Sequence, residues 1–163
     1  MLIVAVLVAC VVLGAGIGAR YAFVTSADDA AVKQAPRIAD AAFEQQASSV
    51  CKRYKGTFDT ATTLSKEPSQ LEAGDFLDQI ATTFDRMVAE LKLGAVAAPD
   101  RSVVERWLAD WDAYDAYGHQ YATAVRNGAE RDLVNRDSSR IGALRRQRNG
   151  FARANHLSAC AFN

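Results

Sequence analysis

Asp112, Asp115 and His119 lie within two helical turns of one another, and an aspartate and a histidine four residues apart can hold a divalent metal from one helix face. On a helical wheel the three cluster within about 60°. A stable site needs more ligands. The one other imidazole is His156, and no His-Glu-x-x-His or paired Glu-x-x-His motif is present. The simpler expectation is a solvated face with an Asp-to-His pair, so no metal and no cofactor is assigned. A metal-dependent enzyme on these three residues is the least favoured of the functional readings.

The surrounding stretch, Asp100 to Tyr121, carries both tryptophans and three of the five tyrosines. Trp111, Tyr114, Gly118, Tyr121 and Val125 fall within about 40° of Trp107 on the wheel, and Val103 joins them. That spacing predicts a core stripe whose hydroxyl and indole N–H groups find partners at the rim. Gly118, without a side chain, would admit a neighbouring helix or ring. The functional alternative is a ligand groove lined by Trp107, Trp111, Tyr114 and Tyr121.

Eight arginines lie between Arg126 and Arg153, against Glu130, Asp132 and Asp137, and Arg145, Arg146 and Arg148 form a tight run. Such a patch suits phosphate in a cytoplasmic protein and anionic headgroups or an acidic partner outside it. An exposed face pairing with the acid-rich earlier helices is the expectation here, and nucleic acid is not an expected partner. Of the three cysteines, Cys10 sits in an apolar run, which leaves Cys51 and Cys160 to pair. A disulfide between them would close a loop of roughly a hundred residues, worth something like 4 to 5 kcal/mol by chain entropy. Two buried thiols in a reducing compartment are the alternative. No Cys-x-x-Cys, nucleophile elbow, Ser-His-Asp set or phosphate-binding glycine loop appears, and no enzymatic activity is expected.

These residues need helices to position them. Pro36 suits a first helical turn, and Phe43, Ala47, Val50, Tyr54, Phe58 and Ala61 follow at steps of three and four, predicting a helix to about Ser65 with Cys51 beside its stripe. Ser69 with Glu72 offers a capping box, though Gly74-Asp75 could delay the helix start by a turn. Leu77, Ile80, Phe84, Met87 and Leu91 then mark a bundle seam up to Gly94. Ser102 with Glu105 reads as a second capping box, opening the aromatic helix, which stops at Asn127-Gly128. Ala129 to Asp137 reads as a loop in which Leu133-Val134 could dock on the core, and Ser138 or Ser139 as the cap of a last helix through Ile141, Leu144, Phe151 and Ala154. With no alternating strand pattern, the fold class is all-α: an N-terminal transmembrane helix, then an up-down four-helix bundle with one disulfide.

Nineteen basic residues balance nineteen acidic ones, so net charge directs the protein to no polyanion. Leu2 to Ala19 contains no charge and spans roughly 27 Å as a helix, and Tyr21 and Phe23 add an aromatic exit. Residues 1–24 are read as a membrane anchor, 25–35 as a juxtamembrane linker and 36–163 as the bundle. A signal peptide cut near Thr25-Ser26-Ala27 and a lipobox at Leu7-Val8-Ala9-Cys10 are the competing readings, disfavoured by the length of the run and the few residues ahead of Cys10. Arg20 follows the span with no basic residue before it, which taken alone opposes export.

Trp107-Leu108-Ala109-Asp110-Trp111 with Tyr114 and Tyr121, then Phe151-Ala152-x-x-Asn155 and Cys160, with Cys51 upstream, together resemble a family of small actinobacterial membrane proteins. Its members have one N-terminal span and a helical extracytoplasmic domain, with no assigned activity. Over roughly Cys51 to Cys160 the resemblance implies that these two cysteines pair outside the cytoplasm and that Asn155 is structural, at the turn into the tail. Ala161-Phe162 departs from the proline that often follows the last cysteine in that family. The expectation is a single-pass cell-membrane protein whose extracytoplasmic domain acts as a non-enzymatic accessory or scaffold for another envelope protein or membrane complex. The alternative is a small-molecule or lipid carrier.

Overall fold

The computed structural model describes residues 28–60 and 68–162. Those residues are all helical or irregular. A leading helix over 28–34 precedes α1 (Ala41–Thr60), α2 (Gln70–Lys92), α3 (Arg101–Arg126) and α4 (Glu130–Ala154), and a short 3-10 turn, Ser158–Cys160, closes the chain. Among the described residues no helix is long and apolar enough to cross a membrane. The anchor expected over 1–24 lies outside them.

Consecutive long helices run antiparallel. Arg53 of α1 pairs with Glu90 near the end of α2, and Lys92 reaches Asp112 of α3 at 2.6 Å. Arg126 at the end of α3 meets Asp75 in the first turns of α2 at 2.8 Å. Near the start of α3, Trp107 stacks on Phe151 near the end of α4, with centroids 5.1 Å apart. The core is drawn from the four long helices and the tail: Phe43, Ala47 and Val50 of α1, Met87, Val88 and Leu91 of α2, Val104, Trp107 and Trp111 of α3, Phe151 and Ala152 of α4, and Leu157 of the tail. Phe58 and Ala61 of the expected α1 stripe lie outside the described side chains.

Local chemistry sets several of the helix ends. Ser69 and Glu72 form the expected capping box. α3 stops as the Asn127-Gly128 signal predicts, with Gly128 at φ 66° and Ala129 N–H bonded to Ala124 O at 2.8 Å. Three starts differ from expectation. α1 begins at Ala41, five residues beyond Pro36, because Asp40 Oδ1 accepts the Phe43 N–H at 3.0 Å and so occupies the N-cap. α3 begins at Arg101, and the Ser102–Glu105 box does not form its start. Asp100 precedes the helix, yet its carboxylate is turned across the molecule, where Oδ2 accepts the N–H groups of Ala39 and Asp40 at 2.8 and 2.9 Å.

The third difference is the largest. Residues 130–137, expected as a loop, are the first two turns of α4. Their polarity describes an outward face rather than a break, since Glu, Arg and Leu are good helix formers, Glu130 and Asp132 suit the positive end of a helix, and Leu133 is buried. Part of the stretch expected as a linker is likewise helical, over 28–34, and Ala31 comes so close to Gly150 of α4 that a Cβ there would sit 2.8 Å from the Ala31 backbone carbon.

Cys51 and Cys160 form a disulfide, with Cα atoms 5.1 Å apart and a separation of 109 in sequence. It fixes the tail to the middle of α1, while the 3-10 turn packs on both α1 and α4. The segment 36–40 is held as a strap. Asn155, buried at the end of α4, accepts the Ile38 N–H at 2.9 Å and donates to the carbonyls of Pro36 and Phe151 at 3.0 Å each. Asp40 Oδ2 also accepts the Ala97 N–H at 2.6 Å, and these N–H bonds, from Phe43 first and then Ala97, hold its carboxyl below the usual carboxylate range.

Candidate functional site

The aromatic helix α3 carries the chemistry, but on a face turned from the expected one. Trp107 and Trp111 are buried, Tyr114, Gly118 and Tyr121 are half-buried, and the rest of the buried set is Val104, Leu108, Asp115 and Ala122. Relative to Trp107 this arc is centred about 50° away from the expected stripe. The cause lies in the neighbours, because α3 is flanked by α2 on one side and α4 on the other and is covered over a wider sector than one stripe.

Trp107 donates its indole N–H to Arg148 O at 3.2 Å and meets Phe43 edge-on, with centroids 6.5 Å apart. One turn later Trp111 touches Phe84 and Phe162, at 5.4 and 5.8 Å. Over its ring, at 3.8 Å, sits the guanidinium of Arg148, which also lies 4.1 Å from the centre of the Tyr114 ring. Arg148 has no exposed surface. It therefore does not belong to an exposed basic patch with Arg145 and Arg146, both of which are half-buried. The run is split because a helix turns about 100° per residue, so neighbours in sequence point to different surroundings. Inside, Arg148 Nη2 donates to Phe162 O at 3.2 Å, and Asn149 donates to the same oxygen at 2.8 Å. Burial lowers the Arg148 pKa to about 10, against the opposing effect of Tyr114 and Asp115, so it stays charged at neutral pH.

Asp115 is the unexpected member of this group. It is 3% exposed, and neither carboxylate oxygen has a hydrogen-bond partner among the described residues. Trp111 Nε1 and Arg148 Nη1 are in the same condition. Burial first, then the charge of Asp85, raises its pKa to about 7, with Arg148 opposing and Asp112 and His119 adding smaller effects of opposite sign. The expected cluster of Asp112, Asp115 and His119 is dispersed. Asp112 pairs with Lys92, and His119 turns to α2, bonding Asp78 at 2.7 Å and Asp85 at 2.8 Å. Those bonds, Asp85 first, raise the pKa of His119. Among the described residues no group of three or more metal-ligating side chains is assembled.

Asp115 lines a cavity of about 180 Å³ with Leu77, Phe84, Tyr114, Tyr117, Tyr121 and Ile141. Gly118 contributes by its missing side chain, since a Cβ there would lie 3.3 Å from Ala81 Cβ. The carboxylate oxygens of Asp115 have essentially no accessible surface, so the carboxylate itself does not open into this cavity. A second, more open groove of about 550 Å³ runs between residues 30–36, α3 and α4, with Trp107 and Phe151 in its floor and Arg106, Arg146 and Asp110 among its polar groups. Burial raises the pKa of Asp110, with Arg106 opposing.

Sequence reasoning located Trp107, Trp111, Tyr114 and Tyr121 but missed the inward Asp115 and Arg148. One signal was present: Asp115 continues the row of fours from Trp107 through Trp111. No known protein family, curated protein or solved structure matches this chain.

Proposed function

We propose that the protein is a membrane-tethered helical module that works outside the cytoplasm as a non-enzymatic accessory subunit for another envelope protein. One observation carries this reading: the helix over 28–34 and the strap after it are docked on α3 and α4, so the open groove of about 550 Å³ adjoins the chain arriving from the apolar run over 2–19. A partner held beside the same membrane would meet that groove first. The Cys51–Cys160 disulfide supports an oxidising compartment. Gentle solubilisation with cross-linking, followed by affinity capture, is expected to recover one defined envelope protein in stoichiometric amount, cross-linked near Arg106 or Arg146. Recovery of the protein always alone would end the reading, and a domain protected from protease added outside the cell would end its topology.

A second reading is favoured by the cavity beside Asp115: a carrier that binds a small molecule between α2, α3 and α4. A ligand retained through native mass spectrometry is its expected sign. This reading does not depend on the first.

A further inference from the structure

We propose that Asn127 is a site of spontaneous deamidation, in which the backbone nitrogen of Gly128 attacks the side-chain amide, and that the fold shields the second Asn-Gly pair, Asn149-Gly150, from the same reaction. The one co-reactant is water.

An Asn-Gly pair obstructs this chemistry least, since glycine has no Cβ to crowd its own nitrogen and tolerates the backbone rotation that the attack requires. The Gly128 nitrogen gives up its proton and bonds to Asn127 Cγ. The bond from Cγ to the amide nitrogen breaks, and ammonia leaves with that proton. Water then opens the five-membered succinimide at one of its two carbonyls. Opening at Cγ gives aspartate. Opening at the main-chain carbonyl gives isoaspartate, whose backbone runs through Cβ and is one atom longer.

The two pairs differ in what the attack requires. Asn127 is the C-cap residue of α3, with φ −96° and ψ 0°, and both it and Gly128 are exposed. Gly128, at φ 66°, has already left the helical backbone, and its N–H is held by Val125 O at 3.1 Å. Opening that bond frees the nucleophile, and helix ends open at low cost. Asn149 instead lies within α4, 5% exposed, where its amide donates to Phe162 O at 2.8 Å and its carbonyl accepts from Arg148 at 3.4 Å. Gly150 faces the backbone of Ala31, and its N–H belongs to the helix interior. Attack there requires α4 to unwind and the tail to leave.

Reaction at Asn127 places a carboxylate at the negative end of α3. As isoaspartate it also lengthens the turn that brings Ala129 N–H to Ala124 O at 2.8 Å. The first turns of α4 are then held less firmly to α3.

The test holds the full chain at pH 8, folded in one sample and unfolded by denaturant with reductant in another, and follows both pairs by peptide mapping. In the folded chain Asn127 is expected to lose its amide at least about tenfold faster than Asn149, which reacts only through the rarer opening of α4. In the unfolded chain the two should react at similar rates. Aspartate and isoaspartate should appear together at position 127, and the reaction should be slower at pH 6, because the attacking nitrogen must lose its proton. Aged protein should exchange amides faster over 130–137 than fresh protein, and Asn127→Asp, which adds the charge without the extra backbone atom, should show less of this change. Equal rates at the two pairs in the folded chain would overturn the proposal, as would an Asn127 amide that survives folding but not unfolding. Aspartate without isoaspartate would exclude the succinimide, and unchanged exchange in aged protein would remove the effect on α4.

Discussion

Asp115 places an ionisable group where the folded protein prefers it neutral, and that preference has a sign. Its pKa is about 7 in the fold against 3.8 for an ordinary aspartate, so between about pH 4 and pH 7 the folded state holds a proton that the unfolded chain has lost. Stability therefore falls as pH rises through that window and levels off above it. The roughly three-unit difference sets an upper limit of about 4 kcal/mol. Asp115→Asn is expected to raise the denaturant midpoint at pH 8 and to gain progressively less toward pH 4, as urea unfolding at the two pH values will measure. Asn155 behaves oppositely, because its three bonds to backbone are all satisfied. Asn155→Ala strands the Ile38 N–H and the Pro36 carbonyl, and a loss of about 2–4 kcal/mol is expected in the same assay.

At the scale of elements, the docking of the leading helix depends on Gly150. A valine there meets Ala31 backbone rather than a flexible side-chain end, so Gly150→Val is expected to lift residues 28–36 from α4 while the bundle remains. Amide exchange should then accelerate over 28–36 and change little in the middle of α3. The long helices were legible where apolar residues recur at helical spacing, as in Met87 and Leu91 or Phe43, Ala47 and Val50. Legibility failed where a helix presents mainly polar residues, as over 130–137, because periodicity then registers nothing although propensity remains good. It also failed at helix starts. Asp40 and Asp100 are the residue types that cap, but only tertiary placement reveals that Asp40 caps α1 while Asp100 reaches across to the strap. The candidate site was half legible: the rings follow from spacing, whereas the burial of Asp115 and Arg148 follows from how many neighbours α3 has, which one helical wheel does not contain.

For the whole molecule the disulfide is the longest covalent closure, joining positions 109 apart. Its removal by Cys51→Ser with Cys160→Ser is expected to destabilise the domain by about 4–5 kcal/mol through the entropy of the unfolded chain. Unfolding with and without reductant, compared in the wild type and the double variant, measures this. The double variant should be insensitive to reductant, and the wild type should approach it when reduced.

The strap over 36–40 also governs how the domain carries load. Asp100 at the head of α3 and Asn155 at the foot of α4 grip it from two elements that are far apart along the chain. Traction entering ahead of residue 28 would peel the leading helix first and then reach these grips, which distribute it between two pillars of the bundle instead of unravelling α1 from its first turn. The domain is thus built to stay whole when tugged from its front end, with the leading helix as the part that yields.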